Sequence, residues 1–383
     1  MILAMDIEPG RSRRNSTITG VLCAIIVVVP LAYLSVHLAT QFDFLPYWIS
    51  ARLLAEGHNP YDRAAIFHIE KALGNREVAP FIMRNPPWAL PLVAPLGGFS
   101  VHWAALLWFL WMLLLAMLSV WFLTRDHSAA RPRAALFAPL LISLLLGQLA
   151  TVVLFVSAFF LAFWRKRPFV AGVVLSVAAI KAHLLVLFWP VLLLDCYRRR
   201  DWRIPAGLLI GVAALTGLAF LLDPHGWAQY RHAMVQESLT FQYLPNVSAD
   251  IRFLLLRRHP WFQCVPSVLG LGAALWFYMR RCWNWTEDGA ILLAVSTLLS
   301  PYSWACDMAL ILPAVLRVQA GRRAQDLYFL CCLVSFLMAL LVDSWASPWL
   351  SLLGPLWIGW YVVARRLSRR NPLPTPPAQS QPA

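Results

Sequence analysis

Six side chains carry a charged, titratable or amide group where an apolar run begins, ends or is broken: Asp43, Arg84, Gln148, Lys181, His183 and Asp307. Asp43 comes directly after the first long apolar run, within the stretch 41–61 that ends in Gly57-His58-Asn59-Pro60-Tyr61. A carboxylate placed where a spanning helix leaves the hydrocarbon stays solvated yet lies at headgroup depth, so it can meet a lipid-borne substrate. Its chemistry there is that of a general base, taking the proton of an acceptor hydroxyl. A structural role competes: Asp43 can N-cap a short interfacial helix over 44–56, with Pro46 tolerated in its first turn and Gly57 ending it. The two are compatible, because a cap leaves one carboxylate oxygen free.

A base alone does not complete such a transfer. If a sugar leaves a lipid phosphate, cations must hold the departing anion while positive charge develops on the ring, and no general acid is obligatory. Lys181 is the leading cation, because it interrupts the apolar stretch 169–194, where a lysine is costly unless paired; snorkelling at a helix end is the other reading. Arg252, preceded by Asn246 and Ser248, and Arg84, ahead of Asn85-Pro86-Pro87, can clamp a phosphate bidentately or remain solvated loop arginines. Gln148 follows Gly147 at a turn, where its amide bonds a sugar hydroxyl or satisfies a freed helix end. Asp307 is a second carboxylate or an N-terminal helix charge. His183 is a proton carrier or a packing residue. Tyr61 joins the substrate-contacting candidates, among aromatic residues suited to the membrane interface (Tyr47, Trp48, Phe67 and Trp88).

Composition sets the class. Sixty per cent apolar residues, 13% charged residues and a mean hydropathy of +0.64 over 383 residues describe an all-α polytopic membrane protein. The net charge of +14 is spread in short clusters between apolar runs, which argues for the positive-inside pattern and against nucleic acid. Seven cysteines without a Cys-x-x-Cys pair indicate neither a disulfide framework nor a thiolate metal site. No cofactor is expected, and the use of a divalent ion stays open.

Twelve apolar segments are expected, at 18–39, 101–123, 135–146, 149–164, 169–180, 183–195, 204–222, 261–279, 287–299, 305–316, 326–342 and 346–364. The first is read as an uncleaved span. Several fall short of the roughly 20 residues that cross a bilayer core. They pair as hairpins turning at Gly147-Gln148, at Lys181-Ala182 and over Ser300-Pro301-Tyr302-Ser303-Trp304. Residues 1–370 form one membrane domain with outer loops at 40–100 and 223–260, and 371–383 form a disordered, Pro-rich cytoplasmic tail. With both termini cytoplasmic, 22 of the 32 Lys and Arg fall inside against 8 of the 18 acids, so the whole excess of +14 is cytoplasmic. Asp43, the three hairpin turns and both long loops then share the outer side, where a site can be assembled.

Several stretches resemble glycosyltransferase family 87, the polyprenyl-phosphate-mannose-dependent mannosyltransferases of the GT-C superfamily. They are Asp43 with Leu54-Ala55-Glu56-Gly57-His58-Asn59-Pro60-Tyr61-Asp62, Asn85-Pro86-Pro87 with Ala94-Pro95-Leu96, Gly147-Gln148, the run from Gly172 to Lys181, and Ser300-Pro301-Tyr302 with Asp307. The resemblance implies a GT-C bundle of about 12 helices with its site at the outer leaflet of the cytoplasmic membrane. It also implies Asp43 as base, Lys181 near the lipid phosphate, a polyprenyl-phosphate sugar as donor and a glycan or glycolipid as acceptor. Two departures, Ala182 in place of proline after the lysine and Ala305-Cys306 in place of histidine, bear on donor and acceptor identity rather than on reaction type. The rival from another class is a lipid-linked sugar flippase or transporter. Such folds often show two related halves, whereas here the long loop occurs once.

Overall fold

The structure is a computed structural model that describes residues 28–41, 43–75, 79–125, 130–240, 264–341, 350 and 352–370. Its described region opens with α1 (Val28–His37). The stretch 40–100 then folds as α2 (Phe44–Ala55), α3 (Arg63–Ala72), a 3-10 turn at Pro87–Ala89, α4 (Leu90–Val93) and a second 3-10 turn at Ala94–Gly98. Next come α5 (Val101–Thr124), α6 (Arg131–Ala135), α7 (Ala138–Leu146) and α8 (Ala150–Phe163). α9 (Pro168–Leu175) runs into a 3-10 segment, Ser176–Leu185, before α10 (Phe188–Arg199), α11 (Arg203–Leu222) and α12 (Gly226–Thr240). The last group is α13 (Val265–Arg280), α14 (Asp288–Leu299), a 3-10 segment Ala305–Ile311 leading into α15 (Leu312–Leu316), α16 (Arg322–Leu341) and α17 (Leu353–Arg370). No strand occurs among the described residues.

Four segments are long and apolar enough to cross a membrane: Val101–Thr124, Pro168–Leu185, Arg203–Leu222 and Arg322–Leu341. The expected twelve are therefore not recovered as twelve spans. Hydropathy counts apolar runs, and here several runs fold as shorter paired helices. α2, α3 and α12 were outside the count altogether. Within the outer loop expected over 223–260, the chain forms α12; residues 241–263 lie outside the described residues.

The hairpins are present in the packing. Gly147, between α7 and α8, has φ +68, a left-handed conformation open to glycine at little cost. A Cβ there would also lie 3.0 Å from the Phe44 Cβ, so the turn and the start of α2 meet at that point. α9 and α10 return to one end of the bundle, where Phe169 and Arg199 line a common groove. At the open end of the third hairpin, Arg317 donates to Glu287 at 3.2 Å. Polar turns at such depth need protein partners or a wet cavity, and the three apices supply partners to one another.

Candidate active site

The apices converge on a cavity of about 530 Å³, within the range of roughly 300–1,000 Å³ usual for small-molecule sites. Its wall includes Asp43 and Tyr47 at the start of α2, Arg84 from the following loop, Gln148, Lys181 and His183. Asp43 and Tyr47 stand one helical turn apart, which brings both to the same face of α2. Asp43 makes no side-chain cap on α2, so the capping role is not the one it plays. The helix ends as its sequence implies, with Glu56 as C-cap and Gly57 at φ +75.

Lys181 sits where the 3-10 segment is interrupted, at φ −139 and ψ 51. The break directs its ammonium to two partners: Nζ donates to Asp307 Oδ1 at 2.7 Å and to Gln148 Oε1 at 2.9 Å. The lysine is 7% exposed and Asp307 fully buried. A charge in such surroundings is tolerable only when paired and hydrogen-bonded. The second oxygen of Asp307 accepts from the Trp304 backbone N–H at 2.8 Å. Both carboxylate oxygens are thus engaged, and Asp307 stands behind Lys181 rather than in the cavity wall.

Gln148 links the Asp43 carboxyl to the Lys181 ammonium. A lysine can only donate, so the amide oxygen faces Lys181, and Tyr47 OH donates to that same oxygen at 3.4 Å. The amide nitrogen is left for Asp43, with which the Gln148 side chain is hydrogen-bonded. Burial pushes the Asp43 carboxyl above its ordinary value, while the hydrogen bond from Gln148 and the charge of Lys181 pull it partly back.

The remaining candidates take different places. Arg84 lines the cavity, and its carbonyl accepts from Tyr230 OH at 3.2 Å. His183 stacks on Tyr302 with centroids 4.0 Å apart, and its Nε2 is buried without a hydrogen-bond partner among the described residues. Tyr61 does not reach the cavity: its OH donates to the Asn85 carbonyl at 3.4 Å and its ring packs edge-on against Tyr230. Arg252 lies outside the described residues.

Sequence reasoning missed four contributors. Tyr47 was read only as an interface aromatic, although its position one turn after Asp43 was a usable signal. Asn85 donates from its side-chain amide to the Ile180 carbonyl at 3.0 Å, next to the break at Lys181. Tyr230 and Met234 reach the cavity from α12, for which no apolar period gave notice.

One charged pair, a bridging amide and a second carboxylate at the wall of a cavity can bind an anion and withdraw a proton a short distance away. The family model of glycosyltransferase family 87 matches residues 83–304. No curated protein and no solved structure matches the chain.

Proposed function

This chain belongs to glycosyltransferase family 87, and from that premise we propose that it moves a hexose, mannose first among them, from a polyprenyl phosphate to a glycan or glycolipid hydroxyl at the outer face of the cytoplasmic membrane. Asp43 takes the acceptor proton. The acceptor oxygen bonds to the anomeric carbon from the side opposite the phosphate, the bond from that carbon to the phosphate oxygen breaks, and the electron pair leaves with the polyprenyl phosphate. The configuration inverts.

The observation that carries this reading is the hydrogen bonding of Lys181. An ammonium has three donors; two are held by Asp307 and Gln148, and the third remains for a phosphate oxygen in the cavity that Lys181 lines. Asp307 balances the lysine, so a phosphate needs further positive charge, and Arg84 at the same wall supplies it, with Arg252 as a second source. Gln148 keeps Asp43 and Lys181 in register. Asp307 acts through Lys181, as a positioning residue.

The test is transfer from labelled polyprenyl-phosphate mannose in membranes holding the wild type or Asp43→Asn. Loss of the base is expected to cut the rate by roughly 10²- to 10⁴-fold at equal protein level. Unchanged transfer removes Asp43 from the mechanism.

A further inference from the structure

The end of the bundle at which α9 and α11 begin carries a second concave site, far from the cavity. Lys181 lies near the other end of Pro168–Leu185, and Trp88 of the cavity wall donates to Thr216 well along α11. Three neighbouring turns bring seven cations to this rim: Arg165, Lys166 and Arg167 before α9, Arg198 to Arg200 at the end of α10, and Arg203 opening α11. Two carboxylates answer them. Arg199 pairs with Asp195 and Arg203 with Asp201, each at 2.7 Å. The side chains of Lys166, Arg167 and Arg200 form no hydrogen bond or ion pair among the described residues.

Four of these cations, Arg165, Arg199, Arg200 and Arg203, line two hollows of about 640 and 260 Å³ that share Arg199, Asp201 and Arg203. Arg165 and Arg199 both lie over the Trp164 ring, at 4.7 and 5.3 Å. Arg200 has φ +54, alone among the described non-glycine residues in that region. Gly or Asn would end α10 there with less strain, so what the arginine adds is its guanidinium. Trp202 and Phe169 complete the larger hollow and are exposed, as interface aromatics are. The N-terminal ends of α9 and α11 add partial positive charge.

We propose that this groove binds the phosphate of an anionic phospholipid from the surrounding leaflet, clamped between Arg200 in the larger hollow and Arg165 in the adjoining one, with the lipid's apolar part against Phe169 and Trp202. A membrane lipid is the occupant because the groove opens beside the first residues of two segments long enough to span, at headgroup level. The proposal is independent of the transfer chemistry at the other end.

Full-length protein would be reconstituted in phosphatidylcholine vesicles with or without phosphatidylglycerol, and the phosphatidylglycerol retained after extraction counted by native mass spectrometry. Each cation removed is expected to lower retention about fivefold. Arg200→Asn should therefore bind about fivefold less while melting no lower than wild type in phosphatidylcholine, because Asn suits the left-handed backbone. Adding Arg165→Gln should bring the loss to about 25-fold. The control, Arg280→Gln with Arg281→Gln, removes equal charge from the end of α13. An equal loss in that control would overturn the proposal in favour of diffuse surface charge. Equal retention of phosphatidylcholine, or displacement of the lipid by inorganic phosphate, would overturn it as well.

Discussion

Asp43 and Lys181 divide the work of the proposed site, and each has a measurable signature. Burial raises the Asp43 carboxyl above its ordinary 3.8, so the basic form is lost while the pH is still above the usual carboxylate range. The acid limb of kcat/KM should accordingly lie above that range, and Gln148→Leu, which deletes a hydrogen bond favouring the carboxylate, should move it higher still. A limb at or below 3.8 would contradict the buried environment. For stability the same shift has the opposite sense: the Asp43 contribution is present below its unfolded value and lost as pH rises through the folded one. The Lys181–Asp307 pair yields a second prediction. Asp307→Leu alone leaves a buried ammonium without its partner and should cost about 3–5 kcal/mol. Combining it with Lys181→Met should restore most of the thermal stability and none of the transfer. A single variant that melts like wild type would show that the pair bears no load.

At the scale of elements, the position of α2 decides whether Asp43 faces the cavity. The helix lies against the turn Ala94–Gly98, where a Cβ on Gly97 would collide with the Ala51 carbonyl oxygen. Trp48 adds a hydrogen bond to the Phe99 carbonyl at 3.0 Å. Gly97→Ala should cost about 1–3 kcal/mol through overpacking and push α2 from its seat. Transfer should then fall by more than the lost stability accounts for, as read from a melting curve beside the transfer assay. Full activity in that variant would mean that α2 is not held by this contact. The course of α2 was legible in the chain, since a helix over 44–56 ended by Gly57 is close to what forms. α12 was not, because its Gln, His, Arg and Ser residues show no apolar period, and Tyr230 and Trp227 join it to partners distant in sequence.

For the whole molecule, the structure places the cavity and the basic rim toward different ends of Pro168–Leu185. The proposed sidedness predicts that, in a cysteine-free background, Ser100→Cys and Lys166→Cys react with an impermeant maleimide from opposite faces of sealed vesicles. Ser100 begins α5 beside the cavity end and Lys166 belongs to the basic rim. Labelling of both from one face would remove the separation on which the donor and lipid assignments rest.

Hydropathy, breaks in apolar runs and turn residues are properties of neighbours along the chain. They sufficed to read a helical membrane protein, to mark Asp43, Gln148 and Lys181 as polar interruptions, and to pick out a family resemblance now matched over residues 83–304. Partnership between Lys181 and Asp307, 126 positions apart, is a property of packing. So are the withdrawal of Asp307 from the cavity, the retreat of Tyr61 behind Tyr230, and the arrival of α12 at the wall. Local pattern says which side chains are too costly to leave unpaired in an apolar setting; only the assembled helices say which of them neutralise one another and which still face the cavity.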